Sequence, residues 1–242
     1  MSYLGYIDTI AGLLSKVDRP RILEVGVDSG QSTIPLLHNM SIHCAEFYYM
    51  GVDVRIRDIV REQSFQMMGI RPHPSYAKET CNTFFIEDNS LNLLPKLVSK
   101  GLMFDLIFLD GDHNYYTVSR ELDLCDKLSH HSTIIVCDDY SGRWADKDLF
   151  YSEREEYSDI RCATPTTSTE KHGVKTAIDD FIKKSMGKWA IMTTEFEPVF
   201  LYQQSHIDLH MTYNNDVTRS YIAFPILHVK LKSDDSKVRF IL

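Results

Sequence analysis

Two short apolar runs, Leu-Ile-Phe-Leu at 106–109 and Thr-Ile-Ile-Val-Cys at 133–137, each stop abruptly at carboxylates. The first meets Asp110-Gly111-Asp112-His113, the second Asp138-Asp139-Tyr140. Continuous rather than alternating apolar runs mark strands buried on both faces, as in parallel sheets covered by helices. Open sheets of that kind carry their chemistry in the crevice outside the carboxyl ends of the strands. The chain is thereby constrained to an α/β architecture with acids and an imidazole gathered along one sheet edge.

The remaining segments alternate to match. Leu4, Ile7, Ile10, Ala11 and Leu14 have helical spacing, and Asp18-Arg19-Pro20 closes that helix. Further strands are predicted at 21–25, 47–52 and 82–86. Helices are predicted at 55–69, at a face formed by Leu91, Leu94, Leu97 and Val98, and at 115–128 and 173–186. Residues 188–194 and 198–202 read as an antiparallel hairpin, and 221–231 and 238–242 as extra strands. The fold class is α/β, a Rossmann-like doubly wound, mostly parallel seven-stranded sheet with an antiparallel C-terminal hairpin and extra C-terminal strands. Residues 1–202 form the domain, and 203–242 an extension that either joins it or makes an oligomer interface. Residues 141–172 are polar and aperiodic beside the predicted site, which reads as a lid or substrate loop.

Composition narrows the partners. With 26 basic and 34 acidic residues the net charge is -8, and the basic residues are dispersed, so duplex nucleic acid is not the expected partner. No apolar run approaches the roughly 20 residues that span a bilayer. The first residues lack the basic start of a secretory signal. Five cysteines without a C-x-x-C pair suit reduced thiols, and the expected location is cytoplasmic. His206 and His210 are four apart, but with no third ligand nearby they read as surface or packing residues.

Site chemistry starts at the first strand, which enters Gly26-Val27-Asp28-Ser29-Gly30-Gln31-Ser32-Thr33 before a helical face at Ile34, Leu36 and Leu37. A strand, a glycine-bearing turn and a helix let a ligand approach the backbone closely, although glycines also serve βα turns for purely structural reasons. The second strand ends in Gly51-Val52-Asp53, an acid placed to accept hydrogen bonds from ribose hydroxyls. After the third strand, Asn89 and Ser90 either cap the next helix or contact an adenine edge. Asp110, Asp138 and Asp139 on neighbouring strands repel one another unless a proton or a cation intervenes. A hard divalent ion such as Mg²⁺ fits oxygen ligands, and capping of the following loops is the alternative.

Taken in order, these residues carry a resemblance. Ile22-Leu23-Glu24-Val25-Gly26-Val27-Asp28-Ser29-Gly30, Gly51-Val52-Asp53, Ser90-Leu91-Asn92-Leu93-Leu94-Pro95, Phe104-Asp105-Leu106-Ile107-Phe108-Leu109-Asp110-Gly111-Asp112-His113, Val136-Cys137-Asp138-Asp139-Tyr140 and Gly173-Val174-Lys175-Thr176-Ala177-Ile178 are similar to class I S-adenosylmethionine-dependent methyltransferases. More narrowly, the chain resembles the macrocin O-methyltransferase-like group, metal-dependent enzymes acting on sugars and natural products. The resemblance implies S-adenosyl-L-methionine and Mg²⁺, or another divalent cation, as cofactors and a small-molecule acceptor. It implies Glu24, Gly26, Gly30 and Ser32 at the methionine end of the pocket, Asp53 on the ribose, and Asn89 and Ser90 near adenine. It also implies Asp110, Asp138 and Asp139 as metal ligands, and Asp112 or His113 as general base, with His113 favoured by its titration near neutral pH. Asp28 stands where many of these enzymes have glycine, and so does Asp88. A metal-independent transferase, a non-catalytic cofactor-binding or assembly module and a dehydrogenase are the other readings, the last disfavoured because G-x-G-x-x-G is missing.

Overall fold

The computed structural model describes residues 5–67, 81–157, 163–192, 198–204, 221–223, 228–231 and 240–241. Helix α1 (Gly5–Leu14) precedes strand β1 (Arg21–Val25), and the chain then alternates through α2 (Thr33–His43), β2 (Phe47–Asp53), α3 (Asp58–Met67), β3 (Cys81–Glu87), α4 (Ser90–Ser99), β4 (Phe104–Leu109), α5 (Tyr115–Lys127) and β5 (Ser129–Cys137). Helix α6 (Val174–Lys184) and strands β6 (Trp189–Met192) and β7 (Val199–Gln203) complete the main sheet. Its order is β3-β2-β1-β4-β5-β7-β6. The first five strands are parallel, and β7 runs antiparallel to both β5 and β6. The expected doubly wound sheet with an antiparallel C-terminal pair is what the chain forms.

The order reverses between β1 and β4, and at that reversal helices leave toward opposite faces, opening a crevice at the strand ends. Leu23, Val25, Ile107 and Leu109 point to one face with Leu94, Leu122 and Ile178 from the helices α4, α5 and α6. Ile22, Leu106 and Phe108 point to the other, with Ile7, Ile10, Leu36 and Leu37 from α1 and α2. Full burial of each such aliphatic side chain stabilises the sheet by about 2 kcal/mol, so the crevice rests on a two-sided core.

Local chemistry sets where the elements begin. Asn89 and Asn114 are extended N-cap residues whose side chains accept from the N–H groups of Leu91 and Thr117 at 2.8 Å each, starting α4 and α5 directly after β3 and β4. Strand β5 starts four residues before the apolar run that predicts it. Its polar beginning is satisfied locally: Ser129 Oγ donates to the Cys125 carbonyl at 2.6 Å, Thr133 Oγ1 to the Phe104 carbonyl at 2.6 Å, and His130 Nε2 lies 3.1 Å from Asp105. Hydrophobicity does not register a strand edge built that way.

Among the described residues the tail strands β8 (Tyr221–Ala223), β9 (His228–Leu231) and β10 (Phe240–Ile241) pair with one another as a separate antiparallel sheet. His206, His210, the 71–74 helix break and the 194–197 connection lie outside the described residues. No helix among the described residues is long and apolar enough to cross a membrane.

Candidate active site

A cavity lies at the strand ends, lined by Gly26 and Asp28 after β1, Asp53 ending β2, Asn89 and Ser90 after β3, and Asp110, Gly111 and Asp112 after β4. Glu121 of α5 joins that wall, and Tyr151, Tyr157 and Thr164 close it from the 141–172 segment. That segment is not wholly irregular: two 3₁₀ turns, Tyr151–Glu153 and Glu155–Tyr157, set the two tyrosine rings 4.9 Å apart. It is tied down where the Tyr151 N–H donates to Asp112, Asn89 Nδ2 donates to Thr164 Oγ1, and Arg55 donates to the Glu156 carbonyl. The free space is about 60 Å³, room for a few water molecules.

The glycine turn is shaped by the protein's own backbone. Gly26 has φ +92°, and a Cβ placed there would stand 1.9 Å from the Asp110 carbonyl oxygen. The missing side chain lets β1 and β4 close on each other and delivers Asp110 to the crevice. Asp53 braces the same turn: one oxygen accepts from the N–H groups of Val27 (2.7 Å) and Asp28 (2.9 Å), the other from that of Arg55 (3.0 Å). Asp28, in the left-handed region at φ +38°, accepts from Arg57 at 3.1 Å and from the Tyr157 hydroxyl at 3.4 Å.

Glu24, Ser32 and Gly30 are placed differently from Gly26: they lie behind the turn and do not line the cavity. Glu24 is fully buried and accepts from Ser32 Oγ at 2.6 Å, Thr33 Oγ1 at 2.9 Å and the Tyr49 hydroxyl. Ser32, at the N-cap of α2, makes no cap with its side chain because its hydroxyl is committed to Glu24. Burial pushes the Glu24 carboxyl up to about 7, against hydroxyl donors that favour the ionised form. A raised folded-state pKa means stability that is complete below the unfolded value, near 4.5, and is lost as pH rises through about 7. The melting temperature is expected to fall between pH 5 and 8 with a Glu24 contribution of about 3 kcal/mol. Glu24→Gln should flatten that slope, and an unchanged slope in thermal melts across this range would refute the assignment.

Asp110, Asp138 and Asp139 lie close enough for their charges to act on one another. His113 Nδ1 is 2.9 Å from Asp139 Oδ2, and its Nε2 is 3.9 Å from Asp110 Oδ1. Burial and the facing Asp138 charge hold the Asp110 carboxyl well above the usual range, and burial raises Asp138 too. A proton held between the two relieves their repulsion. Asp138 Oδ1 is buried without a hydrogen-bond partner. Paired hard-oxygen donors with one orphaned oxygen fit a divalent cation by chemistry. Among the described residues, however, no three His, Cys, Asp or Glu side chains are arranged to hold a metal ion, and Asp139 pairs with His113. Asp139 sits at φ +56°, a strained setting for a non-glycine residue.

Asp112 and His113, left as alternatives by sequence, now differ in surroundings. Asp112 accepts from the Tyr151 N–H at 3.3 Å and from Thr117 Oγ1 at 3.1 Å, clamping the covering segment. His113 carries an orienting carboxylate on one nitrogen and points the other into the acid cluster. Sequence reading missed Glu121, Tyr151 and Tyr157 in the wall. Glu121 alone left a signal, a carboxylate one residue before Leu122 on the core-facing side of α5.

Residues 23–140 match the family model described as a methyltransferase domain. Among solved structures, the chain is similar to an O-methyltransferase from Bacillus cereus in complex with SAH at TM-score 0.51 and 16% identity, covering 81% of this chain and 79% of that one. It is also similar to CalS11, a TDP-rhamnose 3'-O-methyltransferase of calicheamicin biosynthesis, at TM-score 0.53 and 10% identity, covering 82% and 78%. No curated protein matches the sequence.

Proposed function

We propose that this chain, whose residues 23–140 match a methyltransferase domain, moves the methyl group of S-adenosylmethionine to a hydroxyl of a small molecule, a sugar or natural product, with help from a divalent cation. The observation that carries this reading is His113 held by Asp139 beside Asp110, an acid that also lines the crevice of Gly26, Asp53 and Asn89. The sugar-modifying activity described for CalS11 supports the acceptor class. Cys125 and Cys137 are buried and not disulfide-bonded, which agrees with a cytoplasmic setting.

S-adenosylmethionine supplies an electrophilic methyl, and a divalent cation, when bound, acidifies and orients the acceptor hydroxyl. Asp110 and Asp138 would hold that cation. With Nδ1–H donated to Asp139, the His113 imidazole presents Nε2 as the acceptor of the hydroxyl proton, and Asp139 stabilises the imidazolium that forms. Tyr151 and Tyr157 cover one side of the cavity, which would limit its contact with bulk water. Glu24, sealed behind the turn, holds the start of α2 in place.

Two measurements test the reading. Calorimetry on the full chain is expected to detect S-adenosylhomocysteine binding, and radiolabelled methyl transfer into a panel of sugar nucleotides and glycosides is expected to find an acceptor. EDTA should then lower turnover by about 100-fold and Mg²⁺ restore it, the scale of lost charge stabilisation at a polarised oxygen. Undiminished turnover in EDTA would remove the cation from the proposal and leave the transferase.

A further inference from the structure

Glu121 enters the cavity wall from helix α5, on the side where Asp110 and Asp112 also line it, and the Asp112 charge acts on it. It is 1% exposed, and its neighbours Val118, Leu122 and Cys125 pack into the core. Its Oε1 accepts from Ser90 Oγ at 2.5 Å. Its Oε2 is buried with no hydrogen-bond partner. Burial pushes this carboxyl up to about 7.

A buried oxygen left unsatisfied costs about 1–3 kcal/mol, and tying down the Ser90 hydroxyl needs only one acceptor. The second oxygen is therefore explained by a donor that arrives with a ligand. The lining gives its shape: the buried Val25 and Val52 back the wall with apolar side chains, which suits a flat ring, while Asn89 has its side chain committed to the α4 cap and to Thr164. A neutral amino group on a planar base satisfies Oε2 at lower desolvation cost than an ammonium ion.

We propose that Glu121 reads the cofactor's base, its Oε2 accepting a hydrogen bond from the exocyclic amino group of adenine. The inference rests on the reading that this cavity receives S-adenosylmethionine. It makes Glu121 a specificity residue, joining α5 to base recognition through Ser90.

The test is calorimetry on the full chain with S-adenosylhomocysteine and with S-inosylhomocysteine, in which a carbonyl replaces the amino group. The unmodified protein should prefer the adenosyl compound by about 10- to 100-fold, the factor for one hydrogen bond to a charged or strongly polar partner. Glu121→Gln keeps size and shape, and its amide can donate as well as accept, so the preference should shrink to within about threefold. Circular dichroism and thermal melts report whether the variant is folded. Should Glu121→Gln not fold, the unmodified protein's preference still decides. Equal affinity for both compounds in the unmodified protein, or an unchanged preference in a folded Glu121→Gln, overturns the base-reading role while leaving the cofactor reading intact. Binding of neither compound overturns the cofactor reading and this role with it.

Discussion

Replacing His113 with alanine is expected to lower methyl transfer by about 10²- to 10⁴-fold, the contribution of a positioned general base, while S-adenosylhomocysteine still binds with near-normal affinity. The separation follows from placement. His113 is 8% exposed and belongs to the acid cluster, and it does not line the cavity between the glycine turn and Asp53. Asp139→Asn should reproduce part of the loss, because an amide holds the ring less well and gives less support to an imidazolium. Single-turnover kinetics alongside calorimetry would check both. Equal loss of turnover and cofactor affinity in His113→Ala would make the ring a structural post, and full activity would move the base elsewhere.

Gly26→Ala is expected to be the most damaging single substitution in the turn. The added Cβ would stand 1.9 Å from the Asp110 carbonyl oxygen and 2.6 Å from the Gly111 nitrogen, on a residue at φ +92°. Neither contact is the end of a flexible side chain, so β1 and β4 have to part at the point where they build the crevice. Backbone strain and separation together should cost about 3 kcal/mol or more, lowering the melting temperature by about 6–12 °C for a chain of this size. Any cofactor affinity should disappear with it. Gly12→Ala is the matched control: nothing lies within 4 Å of its added Cβ, and a helix interior favours alanine by up to about 1 kcal/mol. If Gly26→Ala melts like the control, the close approach of the two strands is not what the glycine serves.

Part of the candidate site was written into local sequence. Continuous apolar runs ending in acids located β4 and β5 and put Asp110, Asp138 and Asp139 at one edge, where they are found. Asn89 announced a helix start through a side chain two residues from its partner, and Asn114 caps α5 in the same way. Roles were less legible than positions. Asp53 stands at the spacing of a ribose ligand and Glu24 is implied by the resemblance; in the structure Glu24 accepts from the start of α2, and Asp53 lines the cavity while accepting three backbone N–H groups of its own chain. A carboxylate near a turn has the same sequence signature whether it faces inward or outward.

By itself, the sequence determined the alternation of strand and helix, the parallel character of the central strands and the edge on which acids collect. Those properties follow from periodicity and from chain-local capping, interactions spanning a few residues. Only the tertiary structure decided that Asp139 holds His113, that Asp112 clamps Tyr151, that Gly26 makes room for the Asp110 backbone, and that Glu121 presents an unsatisfied oxygen beside Ser90. Each of these depends on side-chain direction across separate elements, and a direction is fixed by packing against neighbours distant in the chain, which no local pattern encodes.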